Sequence, residues 1–198
     1  MTTATTLLQL AGADLNPAKI KDACLVLIDM QNEYREGPIA VTGADQAVAN
    51  AVQLLEAARA QGAPLFHIAH RGRAGGLFDR DADRGQIVAP LSPLSGETVI
   101  EKQLPNAFSG TELAEQVKAT GRSELILCGF MTHMCVSSTA RAALDLGFRI
   151  TVDASACATR DLPDGNGGVI SAAVVHNVAL AELSDRFAVI APDNRALI

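Results

Sequence analysis

"ELILCGFMTHMCVSSTARAALDLGFRITVDA", Glu124 to Ala154, is the stretch on which the fold turns. It opens on the apolar run "ELILCG", the pattern of a strand buried on both faces. From Cys135 to Leu146 the sequence predicts a helix, closed by Gly147, and "FRITVDA" is strand-like again. The same stretch raises a chemical question, because Cys135 stands where the strand gives way to the helix. A buried cysteine ordinarily fills core space. A helix N-terminus also lowers a thiol's pKa and makes a nucleophile. Position alone does not separate the two.

Working outward, the alternation continues in both directions. "ACLVLI" (Ala23–Ile28), "PLFHIA" and "TVIEK" read as strands one to three, and "FAVIAP" as the sixth. Thr42 with Asp45, and Ser109 with Glu112, have the spacing of helix starts. Val48, Val52 and Leu55 mark one face of the first of these helices, which Gly62 and Pro64 stop. Val169, Ala173, His176, Leu180 and Leu183 are expected along one face of the last helix. Strands alternating with helices mean an α/β protein whose six-stranded parallel sheet is covered on both faces through right-handed crossovers. Only Arg71–Glu97, rich in Gly, Asp and Pro, is long and irregular. The chain reads as one domain, 1–198, with 1–22 as an N-terminal extension.

Composition excludes several classes. With 48% hydrophobic and 19% charged residues the chain is globular rather than disordered. A formal net charge of -6 without a basic cluster gives no footprint for nucleic acid. No apolar stretch reaches the ~18 residues of a membrane span. The N-terminus lacks the pattern of a signal peptide. The four cysteines, Cys24, Cys128, Cys135 and Cys157, have no CxxC spacing, so reduced thiols and a cytoplasmic location are expected.

In parallel α/β sheets, ligands bind beyond the carboxyl ends of the strands. Strand one ends in Asp29, strand three in Lys102, and strand four leads into Cys135. Singly, Asp29 suits a turn, Lys102 a solvated charge and Cys135 core packing. Together on one edge, an acid, a base and a thiol are what covalent acyl transfer requires.

These residues also carry a resemblance. "VLIDMQNEY", "VIEKQLPNAF" and "GFMTHMCVSSTARAALDLGF" resemble the three signature blocks of the isochorismatase-like cysteine hydrolases, in the same order, from about Ala23 to Pro192. The resemblance implies a three-layer, Rossmann-like α/β/α fold, an Asp29–Lys102–Cys135 triad, and a cis peptide at Phe130–Met131. It places an oxyanion hole on the Met131 and Cys135 N–H groups. The small-molecule substrate is then expected against Gln31, Tyr34, Phe108 and His133, with no cofactor. It further implies a homo-oligomer with no nucleic-acid or membrane partner. Relatives that cleave isochorismate lack the cysteine, so Cys135 implies an amidase. The Asp-x-His metal motif of nicotinamidases is missing from "QNEYREGPIAVTGADQ". His67 and His70, three apart on one strand, point to opposite faces, so no metal is expected. "FDRDADRG" fails as a calcium loop because its Gly falls a position late and no Glu closes it. His176 reads as a satisfied core histidine. The alternative from another class is a small-molecule binder or a thiol-redox protein with Cys128 as the resolving thiol.

Overall fold

A strand with no polar face must be covered twice, and every residue of β1 (Cys24–Ile28) is buried. A computed structural model describes residues 4–198. It places β1 among β2 (Leu65–His70), β3 (Thr98–Lys102), β4 (Glu124–Phe130) and β5 (Arg149–Ala158). A short antiparallel pair, β6 (Leu162–Pro163) and β7 (Val169–Ile170), precedes β8 (Val189–Ala191). The six-stranded sheet runs β3-β2-β1-β4-β5-β8, and all its pairings are parallel.

The helices are α1 (Leu7–Leu10), α2 (Glu33–Glu36), α3 (Ala44–Gln61), α4 (Leu113–Ala119), α5 (Ser137–Asp145) and α6 (Ala172–Arg186). Leftward steps from β1 and rightward steps to β4, β5 and β8 put α3 on one face and α4, α5 and α6 on the other, by crossover handedness. The strand order reverses between β1 and β4, so their carboxyl ends frame a crevice. Gly129 makes that crevice tight. At φ +126° it lies so close to β1 that a Cβ would stand 2.0 Å from the Ile28 carbonyl oxygen.

Several local expectations are corrected. Thr42 does not cap α3: its backbone bridges to Thr159, while Asp45 pairs with Arg35 at 2.8 Å, and the cap is Gly43 in the left-handed region. Ser109 and Glu112 form no capping box; the Thr111 hydroxyl accepts from the Leu113 N–H at 3.3 Å. The buried face of α6 is Ala172, Ala179, Leu180 and Leu183, whereas Val169 lies exposed in β7 and Ala173 faces outward. Cys135 does not open α5. It sits in a π-helical turn, Thr132–Val136, that leads into α5 without a break.

Candidate active site

Asp29 follows β1 with φ 51°, a left-handed conformation that an aspartate tolerates better than most side chains. It reaches Lys102 at the end of β3 across the intervening strand β2, a span of about 10 Å that suits lysine's long stem. The Lys102 Nζ lies 2.6 Å from Asp29 Oδ2 and donates to Cys135 Sγ at 3.4 Å. The three groups expected from the strand ends thus converge on one ammonium. All are buried: Asp29 at 0%, Lys102 at 2% and Cys135 at 3% exposure.

The electrostatics differ from the helix-dipole expectation. Burial, then the Asp29 charge, push the Cys135 thiol up to about 12, and Lys102 only partly offsets them. Burial also raises the Asp29 carboxyl, with Lys102 pulling the other way. The resting proton therefore belongs on sulfur, facing a carboxylate that is a stronger base than an exposed one. Asp29 Oδ1 is buried and accepts no hydrogen bond among the described residues.

The turn that carries Cys135 is fixed on several sides. Phe130–Met131 is a cis peptide. Within the turn, Met131 O accepts from the Met134 and Val136 N–H groups at 3.0 and 3.2 Å. Thr132 Oγ1 meets His176 Nδ1 at 2.9 Å, so His176 is satisfied as expected. His133 Nδ1 meets Thr159 Oγ1 at 2.6 Å, at the half-buried margin of the site.

Of the residues expected against substrate, Tyr34 lies at the site. Its phenol interacts with the Cys135 thiol, and burial with the Asp29 and Cys135 charges keeps it protonated. Its ring packs edge-on to Phe130 at 5.6 Å and against Phe78 at 5.2 Å. The Gln31 amide donates to the His70 carbonyl (2.9 Å) and the Gly85 carbonyl (2.7 Å) and accepts from the His70 N–H (2.8 Å), so it pins β2 to the long loop. The half-buried Phe108 ring stacks on Phe148 at 6.0 Å, just before the amino end of β5, and packs against the core.

Two residues were missed. His70 ends β2 in register with Lys102, and its Nδ1 lies 3.3 Å from Lys102 Nζ. Burial, then Lys102, hold its pKa down to about 4. Phe78, at φ 57°, lays its ring 4.9 Å from that of His70 and 5.2 Å from that of Tyr34. A cavity of about 690 Å³ lies instead at the amino edge of the sheet, lined by Arg59, Glu97 and Gln116. The charges there are already paired, with Arg59 Nε 2.7 Å from Glu97 Oε1. No group of three or more His, Cys, Asp or Glu suited to a metal occurs among the described residues. Cys128, the resolving thiol of the redox alternative, is fully buried, and burial followed by the charge of Cys157 raises its thiol well above the ordinary value.

A parallel sheet sandwiched by helices, with an acid, an ammonium and a thiol at its switch point, defines an isochorismatase-like α/β hydrolase. The chain belongs to the Isochorismatase domain family, whose pattern matches residues 23–192. It is 36% identical over 177 residues to the secreted isochorismatase effector Isc1 of Verticillium dahliae, covering 89% of this chain and 90% of that one. A streptothricin hydrolase of Streptomyces noursei is 33% identical over 143 residues, covering 72% of this chain and 57% of that protein. The crystal structure of an isochorismatase from Pseudomonas putida superposes with a TM-score of 0.95 at 47% identity, covering 99% of this chain and 100% of that one.

Proposed function

We propose that this hydrolase is a cysteine amidohydrolase that cleaves a C–N bond of a small amide, urea or carbamoyl compound. The observation that carries the reading is the convergence of Asp29 Oδ2, at 2.6 Å, and Cys135 Sγ, at 3.4 Å, on the buried Lys102 ammonium. Asp29 takes the thiol proton as sulfur attacks the carbonyl carbon, so a C–S bond forms and the carbonyl π pair moves onto oxygen. The Met131 and Cys135 N–H groups hold that oxyanion. Collapse breaks the C–N bond, and Asp29 returns its proton to the departing nitrogen. Asp29 then deprotonates a water, which attacks the thioester; the C–S bond breaks, the acid is released, and Asp29 passes the proton back to the Cys135 thiolate. Lys102 remains charged throughout and balances the carboxylate or the thiolate, whichever carries the charge.

Cys135 also separates this chemistry from cleavage of a vinyl ether, for which relatives do without the thiol. No helix among the described residues is long and apolar enough to cross a membrane. The four buried, free thiols support a reducing compartment and a cytoplasmic location, although the Verticillium dahliae relative is named as secreted. The active form is a homo-oligomer, which light scattering tests; a monomer with full turnover removes that part of the reading.

A panel of small amides, ureas and carbamoyl compounds assayed for ammonia release tests the chemistry. On any substrate found, Cys135→Ser is expected to lose on the order of a thousandfold in kcat with the fold retained, because a hydroxyl ionises far less readily than a thiol. Near-native turnover by that variant would end the covalent mechanism.

A further inference from the structure

We propose that His176 is a positioning residue of this site: through Thr132 it directs the Met131 N–H toward the oxyanion that forms in the reaction. This rests on the amidohydrolase reading. Thr132 directly follows Met131, and its carbonyl accepts from the Ser137 N–H within the π turn. It is fully buried, and its hydroxyl has one partner among the described residues, His176 Nδ1 at 2.9 Å. His133, the next residue, is held by the Thr159 hydroxyl at 2.6 Å. Two consecutive residues of the turn are thus clamped by two crossed Thr–His bonds, one from α6 and one from just past the end of β5.

Helix α6 presents a polar ring where an apolar side chain is ordinary. His176 lies three, four and seven residues before Ala179, Leu180 and Leu183, so it continues the face that packs on the core. Burial holds its pKa below the ordinary 6.5, so at pH 7 the ring is neutral and adds no charge to the site. The helix is itself pinned at its start. The Ala172 N–H donates to Asp161 Oδ1 at 2.7 Å, and the Ser171 hydroxyl accepts from the Val174 N–H at 3.4 Å. Stability does not demand the Thr132–His176 pair, because two apolar side chains of similar shape cost little in its place. What a hydrogen bond adds is direction, and direction is what an oxyanion donor needs. A cavity of about 330 Å³, lined by His176, Thr159, Cys157, Thr42 and Gln46, borders both clamps. On that side the clamping residues face open space rather than packed core, so hydrogen bonds take the place of contact.

Two reagents separate the oxyanion donors from the thiol. Iodoacetamide alkylates sulfur by displacing iodide and builds no charge on a carbonyl oxygen. p-Nitrophenyl acetate acylates it: sulfur attacks the ester carbon, Asp29 takes the thiol proton, and the tetrahedral oxyanion collapses with loss of p-nitrophenolate. Acylation is read as the p-nitrophenolate burst that Cys135→Ser lacks, and alkylation of Cys135 by peptide mass spectrometry. His176→Ala is expected to slow acylation about tenfold or more and to leave alkylation within about twofold, since a misdirected donor weakens only the step that charges the oxygen. His176→Asn, which keeps a hydrogen-bonding group close to the place of Nδ1, is expected to recover most of the loss. The pair Thr132→Val with His176→Leu keeps apolar volume at both places. It is expected to melt close to wild type and to acylate as slowly as His176→Ala, and it carries the test should His176→Ala fail to fold. Equal losses in acylation and alkylation, or no loss in either, overturn the proposal while the nucleophile stands. A wild-type Cys135 that p-nitrophenyl acetate never acylates ends the amidohydrolase reading, and this proposal with it.

Discussion

The Lys102 ammonium donates to more than the thiol. Asp29 Oδ2 lies at 2.6 Å and His70 Nδ1 at 3.3 Å, and an ammonium donor at the second contact decides the tautomer. Nδ1 must carry the lone pair, so Nε2 carries the proton and remains a donor. His70 therefore aims the ammonium at the Asp29–Cys135 pair while adding no charge, its pKa held near 4 by burial and then by Lys102. Replacing it separates positioning from packing. His70→Asn keeps an acceptor close to the place of Nδ1, whereas His70→Leu keeps only volume. The leucine variant is expected to lose about tenfold in kcat with KM little changed, and the asparagine variant to recover most of that, since a hydrogen bond to a charged group is worth about 1.5–3 kcal/mol. Equal losses in both variants, tracking their melting temperatures, would reduce His70 to packing. Asp29, Lys102 and Cys135 were legible because each ends or follows an apolar run. His70 was not, because on its strand it reads only as a metal candidate beside His67, and the register that puts it beside Lys102 is a pairing between strands that no local pattern encodes.

At the scale of elements, the same strand carries a second histidine, fully buried, on its other face. His67 Nε2 lies 3.0 Å from Glu97 Oε2, and Arg59 binds that carboxylate at 2.7 and 2.9 Å, joining α3 and β2 to the start of β3. The Arg59 hydrogen bond is the main cause that holds Glu97 down at about 2. That stabilisation is present above the ordinary value of 4.5 and is lost as pH falls toward 2. Burial, opposed by Glu97, keeps His67 below 6.5, so the fold also weakens as pH drops below that value and the unfolded chain takes up the proton first. Glu97→Gln is expected to cost about 2 kcal/mol at pH 7 and to flatten the stability profile below about pH 4.5, as read by urea unfolding across pH. Parallel profiles of equal height would show that the cluster contributes nothing. Elements were read well where burial dictated them and poorly where local hydrogen bonds compete. Thr42 has the spacing of a cap, but its backbone is drawn into a bridge with Thr159, a contact 117 positions away that no local pattern encodes. The π turn around Cys135 was hidden for a related reason, since helical spacing over Cys135–Leu146 does not distinguish one extra residue in the first turn.

For the whole molecule, the sheet order explains why residues so distant in sequence share one site. The reversal between β1 and β4 opens the crevice, Gly129 lets the two backbones meet, and β2 and β3 bring His70 and Lys102 alongside. None of this depends on the segment before β1, which attaches in two unequal parts. Within α1 no residue is buried, and the helix is held to α6 by a hydrogen bond from the Leu7 N–H to Asp185 Oδ1 at 2.9 Å. Further on, Ala18 (3% exposed) donates to Thr151 Oγ1 at 2.9 Å, and Ile20 (0% exposed) donates to Leu197 O at 2.8 Å, so these residues belong to the core. A chain beginning at Ala13 is therefore expected to melt within about 3 °C of the full chain, consistent with a loss of about 1 kcal/mol, and to keep its kcat. A chain beginning at Lys21 loses a buried isoleucine and both hydrogen bonds, which together are worth several kcal/mol, and is expected to melt about 10 °C lower or more. Differential scanning calorimetry of the two truncations makes the comparison. If the shorter cut costs as much as the longer one, α1 is part of the cooperative core and the division drawn at Ala13 is wrong.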